Sequence, residues 1–379
     1  MTKQLEAARN LRSRLDANAV EVGDGELSIE SVEAMRQAEL FGVLCPEEVG
    51  GGELPLLDVL DVFEEVSRAD GSAGWCLMAG ATTVAYFGSY CEQDFVDEMF
   101  STGVPLAAGQ FAPNGTAVRE GAGFRITGNY SFGSGIHTAD WVGAGVLVAP
   151  PEGSEEPPEY RFAVVPKSEV ELRGNWNVLG LQSTASYDYG LVGVLAPEAA
   201  TFLFAAPTRR RGGPYFELGV MVLTAVGHAG FALGLARRAI DELVALSKTK
   251  IRMASATVLK DGERFLHSLG TLESRYAASR AWVRETLATA EQTAIRTESV
   301  DPLESTRVRQ ATVHATTEAV DIVHQAYLLA GTTSLRESAL QRCFRDIHAA
   351  SQHYFAGTSA TLEMARNVLE ASPDSALEA

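Results

Sequence analysis

Positive charge is scarce in this sequence: 31 Lys and Arg stand against 49 Asp and Glu, for a formal net charge of −18. A chain of that sign repels the phosphates of nucleic acid and the anionic face of a membrane, so neither is expected as a partner. Cysteine is sparse as well. Cys45, Cys76, Cys91 and Cys343 are the only four, and no C-x-x-C spacing signals a zinc knuckle or a redox dithiol. They read as core thiols in a reducing compartment. Long apolar runs are missing too. The longest candidate, residues 231–235 with their flanks, is interrupted by Gly227, His228, Gly230 and Gly234, and falls short of the roughly 20 residues of a membrane span. The N-terminal residues 1–14 are charged and amphipathic, without the apolar stretch of a signal peptide. The expected location is the cytoplasm. Common cofactor and nucleophile signatures are absent: there is no G-x-G-x-x-G after a strand, no G-x-x-x-x-G-K-[ST] and no G-x-S-x-G.

What is present is a large apolar fraction, 46% of 379 residues, enough for two or three domains. The hydrophobic period divides them. Residues 1–104 read as helical: Pro55 suits a helix start, and Asp70-Gly71-Ser72 is a turn or cap before an apolar segment at residues 73–90. Residues 105–206 switch to a period of two. Phe124-Arg125-Ile126-Thr127 alternates, Gly128-Asn129 reads as a hairpin turn, and Tyr130-Ser131-Phe132 begins a return strand. With strands at 141–148, 161–165 and 187–195, the middle is expected to be a small antiparallel β-barrel or sandwich. Residues 207–379 are helical again. Segments 227–248, 263–296, 305–329 and 340–369 predict a C-terminal four-helix bundle.

Four segments in this order resemble the acyl-CoA dehydrogenase superfamily. They are Phe41-Gly42-Val43-Leu44-Cys45-Pro46-Glu47-Glu48-Val49-Gly50-Gly51, the stretch FRITGNYSFGSGIHTADW at 124–141, the segment 176–197 ending in VLAP, and Leu340-Gln341-Arg342-Cys343-Phe344-Arg345-Asp346. Asp70-Gly71-Ser72-Ala73-Gly74-Trp75, Tyr130-Ser131-Phe132-Gly133-Ser134-Gly135, and the run from Arg345-Asp346 to His353 resemble its flavin-dependent monooxygenase branch. The resemblance implies an acyl-CoA dehydrogenase-like fold and a homotetramer built through the C-terminal bundle. It also implies reduced flavin (FMN or FAD) delivered by a separate flavin reductase, and a C4a-hydroperoxyflavin that hydroxylates an aromatic or heteroaromatic small molecule. It places Ser134 against the flavin, flanked by Phe132, Gly133 and Gly135. Gly109, Thr184 and Ser186 would face the flavin as well, with Trp75 as a wall.

His353 is the expected proton manager. Asp346, Ala350 and His353, at i, i+4 and i+7, are expected on one face of a helix, and imidazole titrates near neutrality. His348 lies roughly 140° round such a helix and is expected to be structural. Arg345-Asp346 reads as a structural ion pair or helix contact. Arg209-Arg210-Arg211 reads as either a solvated loop or a flavin-phosphate site. The remaining histidines show no metal spacing.

The departures from true dehydrogenases are specific. The Y-E-G-T segment that carries their catalytic Glu is here His353-Tyr354-Phe355-Ala356-Gly357-Thr358, and the nearest acid on an earlier helix, Glu217, aligns poorly. Tyr327-Leu328-Leu329-Ala330-Gly331 replaces the Gln-x-x-Gly-Gly segment that helps hold the FAD adenine end, and Lys248-Thr249-Lys250-Ile251-Arg252 replaces an Arg-x-x-Phe-Gly segment, so FMN or transient reduced flavin fits better than tightly bound FAD. Two alternatives stay open: an FAD-dependent acyl-CoA dehydrogenase with another base, and a non-catalytic partner subunit of a hetero-oligomer.

Overall fold

A computed structural model describes residues 2–19, 25–150, 153, 155–251 and 257–370; Arg252 lies outside them. The first layer is helical: α1 (Lys3–Asn18), α2 (Ile29–Gln37), α3 (Leu56–Ala69), α4 (Gly71–Tyr90) and α5 (Gln93–Met99). Pro55 precedes α3, and Asp70 caps α4 by accepting from the Ala73 amide at 2.8 Å. Nearly every residue of α4 is buried, as its continuous apolar sequence requires.

The strands are β1 (Ala107–Glu120), β2 (Gly123–Gly133), β3 (Trp141–Val148), β4 (Glu159–Pro166), β5 (Glu171–Gly174), β6 (Tyr187–Pro197) and β7 (Thr201–Leu203). They form one sheet in the order β5-β6-β2-β1-β3-β4-β7. The pairs are antiparallel except β1 with β3, which is parallel, so the sheet is mixed. After β2 the chain steps over the start of β1 and adds β3 on its far side. The crossing is pinned where Leu106 oxygen accepts the Asp140 and Trp141 amides and Asp140 Oδ2 accepts the Leu106 amide. The sheet closes over its own core, with Phe124, Ile126, Val142 and Leu191 buried around the stacked Tyr130–Tyr189 pair.

The hairpin expected at Gly128-Asn129 is not formed. β2 runs straight through both residues, and the β1–β2 turn comes earlier, at Gly121, with φ +60°. Gly128 is glycine for another reason: a Cβ there would sit 2.7 Å from the Gly115 Cα and from the Tyr130 hydroxyl. Tyr130 crosses that space to donate to the Gly145 carbonyl at 3.1 Å.

The C-terminal part comprises α6 (Gly219–Ser247), α7 (Glu263–Thr297), α8 (Pro302–Ala330), α9 (Ala339–Ala350) and α10 (Ser359–Glu370). The fourth helix of the expected bundle is thus two helices, broken between Ser351 and Thr358. The segment 214–247 is, contrary to the reading of its apolar run, long and apolar enough to span a membrane, and 89% of its most apolar window is buried in the protein. Its glycines are contact points. A Cβ on Gly230 would meet the Phe63 Cβ at 2.7 Å, one on Gly234 the Glu64 carbonyl at 2.5 Å, and one on Gly227 the Met78 Cβ at 3.0 Å. They let α6 lie directly on α3 and α4.

Candidate active site

Three pieces of chain converge where the sheet meets the helices: the crossing after β2, the loop before β6, and the break between α9 and α10. Phe132 ends β2 in a left-handed conformation, φ +63°, strained for a residue with a bulky side chain. Phe132 is 63% exposed, and its ring meets that of Trp176 edge-on, at 6.2 Å between centroids. Gly135, φ +73°, donates its amide to the Thr184 carbonyl at 2.9 Å and so ties the crossing to the second loop. Between these glycines Ser134 Oγ lies 2.8 Å from Ser186 Oγ and 3.0 Å from Trp75 Nε1 on α4. Thr184 Oγ1 lies 2.7 Å from Ser186 Oγ and donates to the Leu181 carbonyl at 2.8 Å.

Trp75 in turn is the centre of an aromatic wall. His228 of α6 lies edge-on to it at 5.1 Å, Phe231 at 5.0 Å and His353 at 5.4 Å. His228 and His353 stack face to face at 4.3 Å, and Phe355 stacks on His228 at 5.2 Å. His353 is not on a helix with Asp346 and Ala350. α9 stops at Ala350, and His353 opens a short 3-10 turn, its Nδ1 accepting the Phe355 amide at 3.4 Å. His353 is exposed as a residue, while its ring packs against those of Trp75, His228 and Phe355. Withheld hydration pushes its pKa down to about 4, and the buried His228 is driven well below its ordinary value by desolvation and then by His353. Both imidazoles are therefore neutral at pH 7. With Nδ1 accepting, His353 carries its hydrogen on Nε2 and presents a donor.

Arg345 and Asp346 do not pair with each other. Asp346 Oδ1 accepts the Leu181 amide at 2.6 Å, and Arg345 Nη1 donates to Gln182 Oε1 at 3.0 Å. The two side chains hold the loop that presents Thr184 and Ser186. Burial, then the neighbouring Asp70, outweighs the Leu181 amide and raises the Asp346 pKa to about 7. A raised carboxyl favours the fold below its unfolded pKa and loses that contribution as pH climbs through the folded value. In denaturant melts, Asp346→Asn is therefore expected to gain stability relative to the unsubstituted chain between pH 4 and 7, by about 1 kcal/mol per pH unit at most. A constant difference across that range would contradict the assignment.

Other expected residues are held by packing or pairing within the chain. Gly109 pairs with Gly143 in the β1–β3 ladder, and its Cβ would lie 2.6 Å from the Gly143 carbonyl; strand contact accounts for it. Gly133 is pressed on Ile136 and the Tyr187 carbonyl. Arg209-Arg210-Arg211 is engaged within the chain, with Arg210 exposed and Arg211 buried. Arg209 pairs with Glu217 at 2.7 Å, Arg210 with Glu92, and buried Arg211 binds the Gly88 and Cys91 carbonyls at the end of α4. Glu217 is thereby spoken for. His348 packs on Phe344 at 4.5 Å, away from His353. The residues not anticipated are His228, Phe231 and Phe355; a lone imidazole inside the apolar run 219–236 was the available sign.

The sequence signature "Acyl-CoA dehydrogenase, N-terminal domain" matches residues 4–94, and "Acyl-CoA dehydrogenase, C-terminal domain" matches residues 226–358. The chain belongs to the acyl-CoA dehydrogenase superfamily. It is 28% identical to an indole-3-acetate monooxygenase of Pseudomonas putida, over 87% of this chain and 84% of that one. It is 24% identical to the oxygenase subunit HsaA of a flavin-dependent monooxygenase from Rhodococcus jostii, over 86% of each. In fold it is similar to 3-HSA hydroxylase from Rhodococcus sp. RHA1 (TM-score 0.90, 20% identity, 98% of both chains). XiaF from Streptomyces sp., solved with FADH2 and glycerol, has a TM-score of 0.88 at 22% identity, covering 98% of this chain and 96% of that one.

The residues of this superfamily member fit a flavin. Phe132 offers an uncovered aromatic face beside three buried hydroxyls, and His228 Nε2 is buried with no hydrogen-bond partner. An exposed aromatic ring and an orphaned buried polar atom are what a planar, polar-edged ligand would satisfy.

Proposed function

We propose that this chain is the oxygenase component of a two-component flavin-dependent monooxygenase. It takes reduced FMN or FAD from a separate reductase and, with O2, hydroxylates an aromatic or heteroaromatic small molecule. The observation that carries the reading is His353. A neutral imidazole, stacked on His228 and touching Trp75, stands in the segment where a dehydrogenase has its Glu. Abstracting an α-proton from an acyl thioester needs a positioned base with a free lone pair, and His353 offers none: its Nδ1 accepts the Phe355 amide and its Nε2 carries the hydrogen. Glu217, the other candidate, is paired with Arg209.

Bound reduced flavin would supply the two electrons that activate O2, which itself gives one oxygen atom to the substrate and the other to water. The chain supplies the surroundings. Phe132 packs the ring, while Trp75, Phe231 and Phe355 keep water from the reacting atoms. His353 Nε2–H donates to the negative charge that develops on oxygen. Because both imidazoles are already neutral well below pH 6.5, kcat for hydroxylation is expected to show no histidine limb between pH 5.5 and 8. A limb near pH 6.5 that vanishes in His353→Gln would assign His353 a base role instead. A homotetramer fits the exposed apolar residues Ile295 of α7, Leu328 of α8 and Leu362 of α10, and light scattering on the purified chain reads it directly.

The reading is tested by loading the protein anaerobically with reduced FMN and mixing it with oxygenated buffer. Flavin reoxidation slower than in free solution, with hydroxylated product when phenols, indoles or aryl acetates are present, supports it. Reoxidation at the free rate, together with bleaching of FAD-loaded protein by an acyl-CoA, would turn the reading toward a dehydrogenase.

A further inference from the structure

The rings around His353 leave no slot for another ring. His228 stacks on His353 at 4.3 Å and on Phe355 at 5.2 Å, and His353 faces Phe355 at 5.9 Å with 13° between the planes. Trp75 lies edge-on to both imidazoles and to Phe231. A ring inserted between two others needs about 3.5 Å of contact on each face, hence about 7 Å between the flanking centroids. None of the three gaps is that wide. An aromatic substrate that reaches His353 has to take the place of a ring already there.

Trp75, His228 and Phe231 stand on α4 and α6, two long helices buried along most of their length. Phe355 does not. It belongs to the turn at residues 351–358 that joins α9 to α10. Gln352, His353, Tyr354 and Thr358 are exposed there, and Phe355 is the one buried side chain, at 6%. The backbone bonds of the turn are local. The His353 amide donates to the Ala350 carbonyl at 3.0 Å, the Ala356 amide to the His353 carbonyl at 2.9 Å, and the Gly357 amide to the Tyr354 carbonyl at 3.0 Å. Among the described residues, no hydrogen bond ties residues 352–358 to an element other than α9 and α10. Ring packing anchors the turn on the body of the protein. A segment held that way opens by itself, without disturbing the helices beneath it.

We propose that Phe355 is a plug: its ring fills the substrate's place in the empty site, and an aromatic substrate enters by displacing it as the turn swings out from α6. The space that the ring holds touches both imidazoles, so a substrate ring seated there lies on His228 and beside His353. Phe355 keeps water out of the empty site, and the substrate ring does so once it is seated. The closed form has no place for the ligand, so the ligand draws the equilibrium toward the open form, and its apparent affinity is reduced by the fraction of chains that are closed. The inference rests on the reading of the substrate as aromatic and adds to it how that substrate is admitted.

A plug and a fixed pocket wall predict opposite signs. Binding of phenol, indole and indole-3-acetate is measured by anaerobic equilibrium dialysis, with reduced FMN present, on the unsubstituted chain, Phe355→Ala and Phe355→Leu. Phe355→Ala should bind at least one probe about tenfold more tightly than the unsubstituted chain, because burial of a phenyl ring no longer opposes entry. Phe355→Leu still fills part of the space and should fall between the two; it carries the test alone if the alanine variant does not fold. Hydrogen exchange on the unsubstituted chain should show the amides of residues 353–357 exchanging faster when that probe is bound. Weaker probe binding in the variants would make Phe355 a wall of a preformed pocket and overturn the plug, while leaving the aromatic reading in place. Unchanged affinity, or exchange in the turn that the probe leaves unchanged or slows, would overturn the plug as well. Failure of all three chains to bind any probe would overturn the aromatic reading, and the plug with it.

Discussion

His353→Ala is expected to lower kcat for hydroxylation by about 10²- to 10⁴-fold, the range associated with a positioned proton-transfer or donor group. Affinity for reduced flavin should change little, because His353 is held by Trp75, His228 and its own 3-10 turn, not by the Ser134 hydroxyl chain. The electrons then leave by another route, so hydrogen peroxide per flavin consumed should rise as product falls. His353→Asn, which keeps an N–H donor on a shorter side chain, should recover part of the rate. Product formation that is unchanged in His353→Ala would remove the residue from the chemistry.

The second large effect is expected at Gly180. A Cβ there would lie 2.1 Å from the Arg345 carbonyl oxygen and 2.7 Å from the Asp346 amide nitrogen. Both obstacles are backbone of α9, with no side-chain end to swing away. Gly180→Ala must push the loop off the helix, which costs about 1–3 kcal/mol in overpacking. It also breaks the buried bond from the Leu181 amide to Asp346, worth a further ~1–3 kcal/mol. Thr184 and Ser186 ride on that loop, so reduced-flavin affinity should fall by at least about tenfold. Denaturant melts and flavin titration on the same sample read both effects. Native-like stability with native-like affinity would show that the loop is not fixed by its contact with α9.

The helix–strand–helix order was legible because period carries it: 3.6 in α3 and α4, 2 in β2 and β3. The Gly128-Asn129 turn was misread because a glycine that admits a neighbouring backbone and one that makes a turn look alike in one dimension; only the approach of Gly115 and Tyr130 distinguishes them. The β1–β3 parallel pair was not legible either, since a step over one strand leaves no local trace. At the site, the motif segments pointed to Ser134, Thr184, Ser186, Trp75 and His353, and the structure brings these five together. The helical-face argument for His353 failed, since the chain leaves α9 at Ala350 before reaching it. His228 lies 125 positions from its stacking partner, and a contact of that separation is set by tertiary packing alone.

The central claim is that the site holds reduced flavin and passes an oxygen atom from O2 to an aromatic substrate. The most direct measurement is a single turnover: protein with one equivalent of reduced FMN, a panel of phenols, indoles and aryl acetates, and 18O2. The account predicts one 18O atom in the product of at least one panel member, with yield lost in His353→Ala. Quantitative reoxidation to hydrogen peroxide with every panel member, and no label in any organic product, would contradict it.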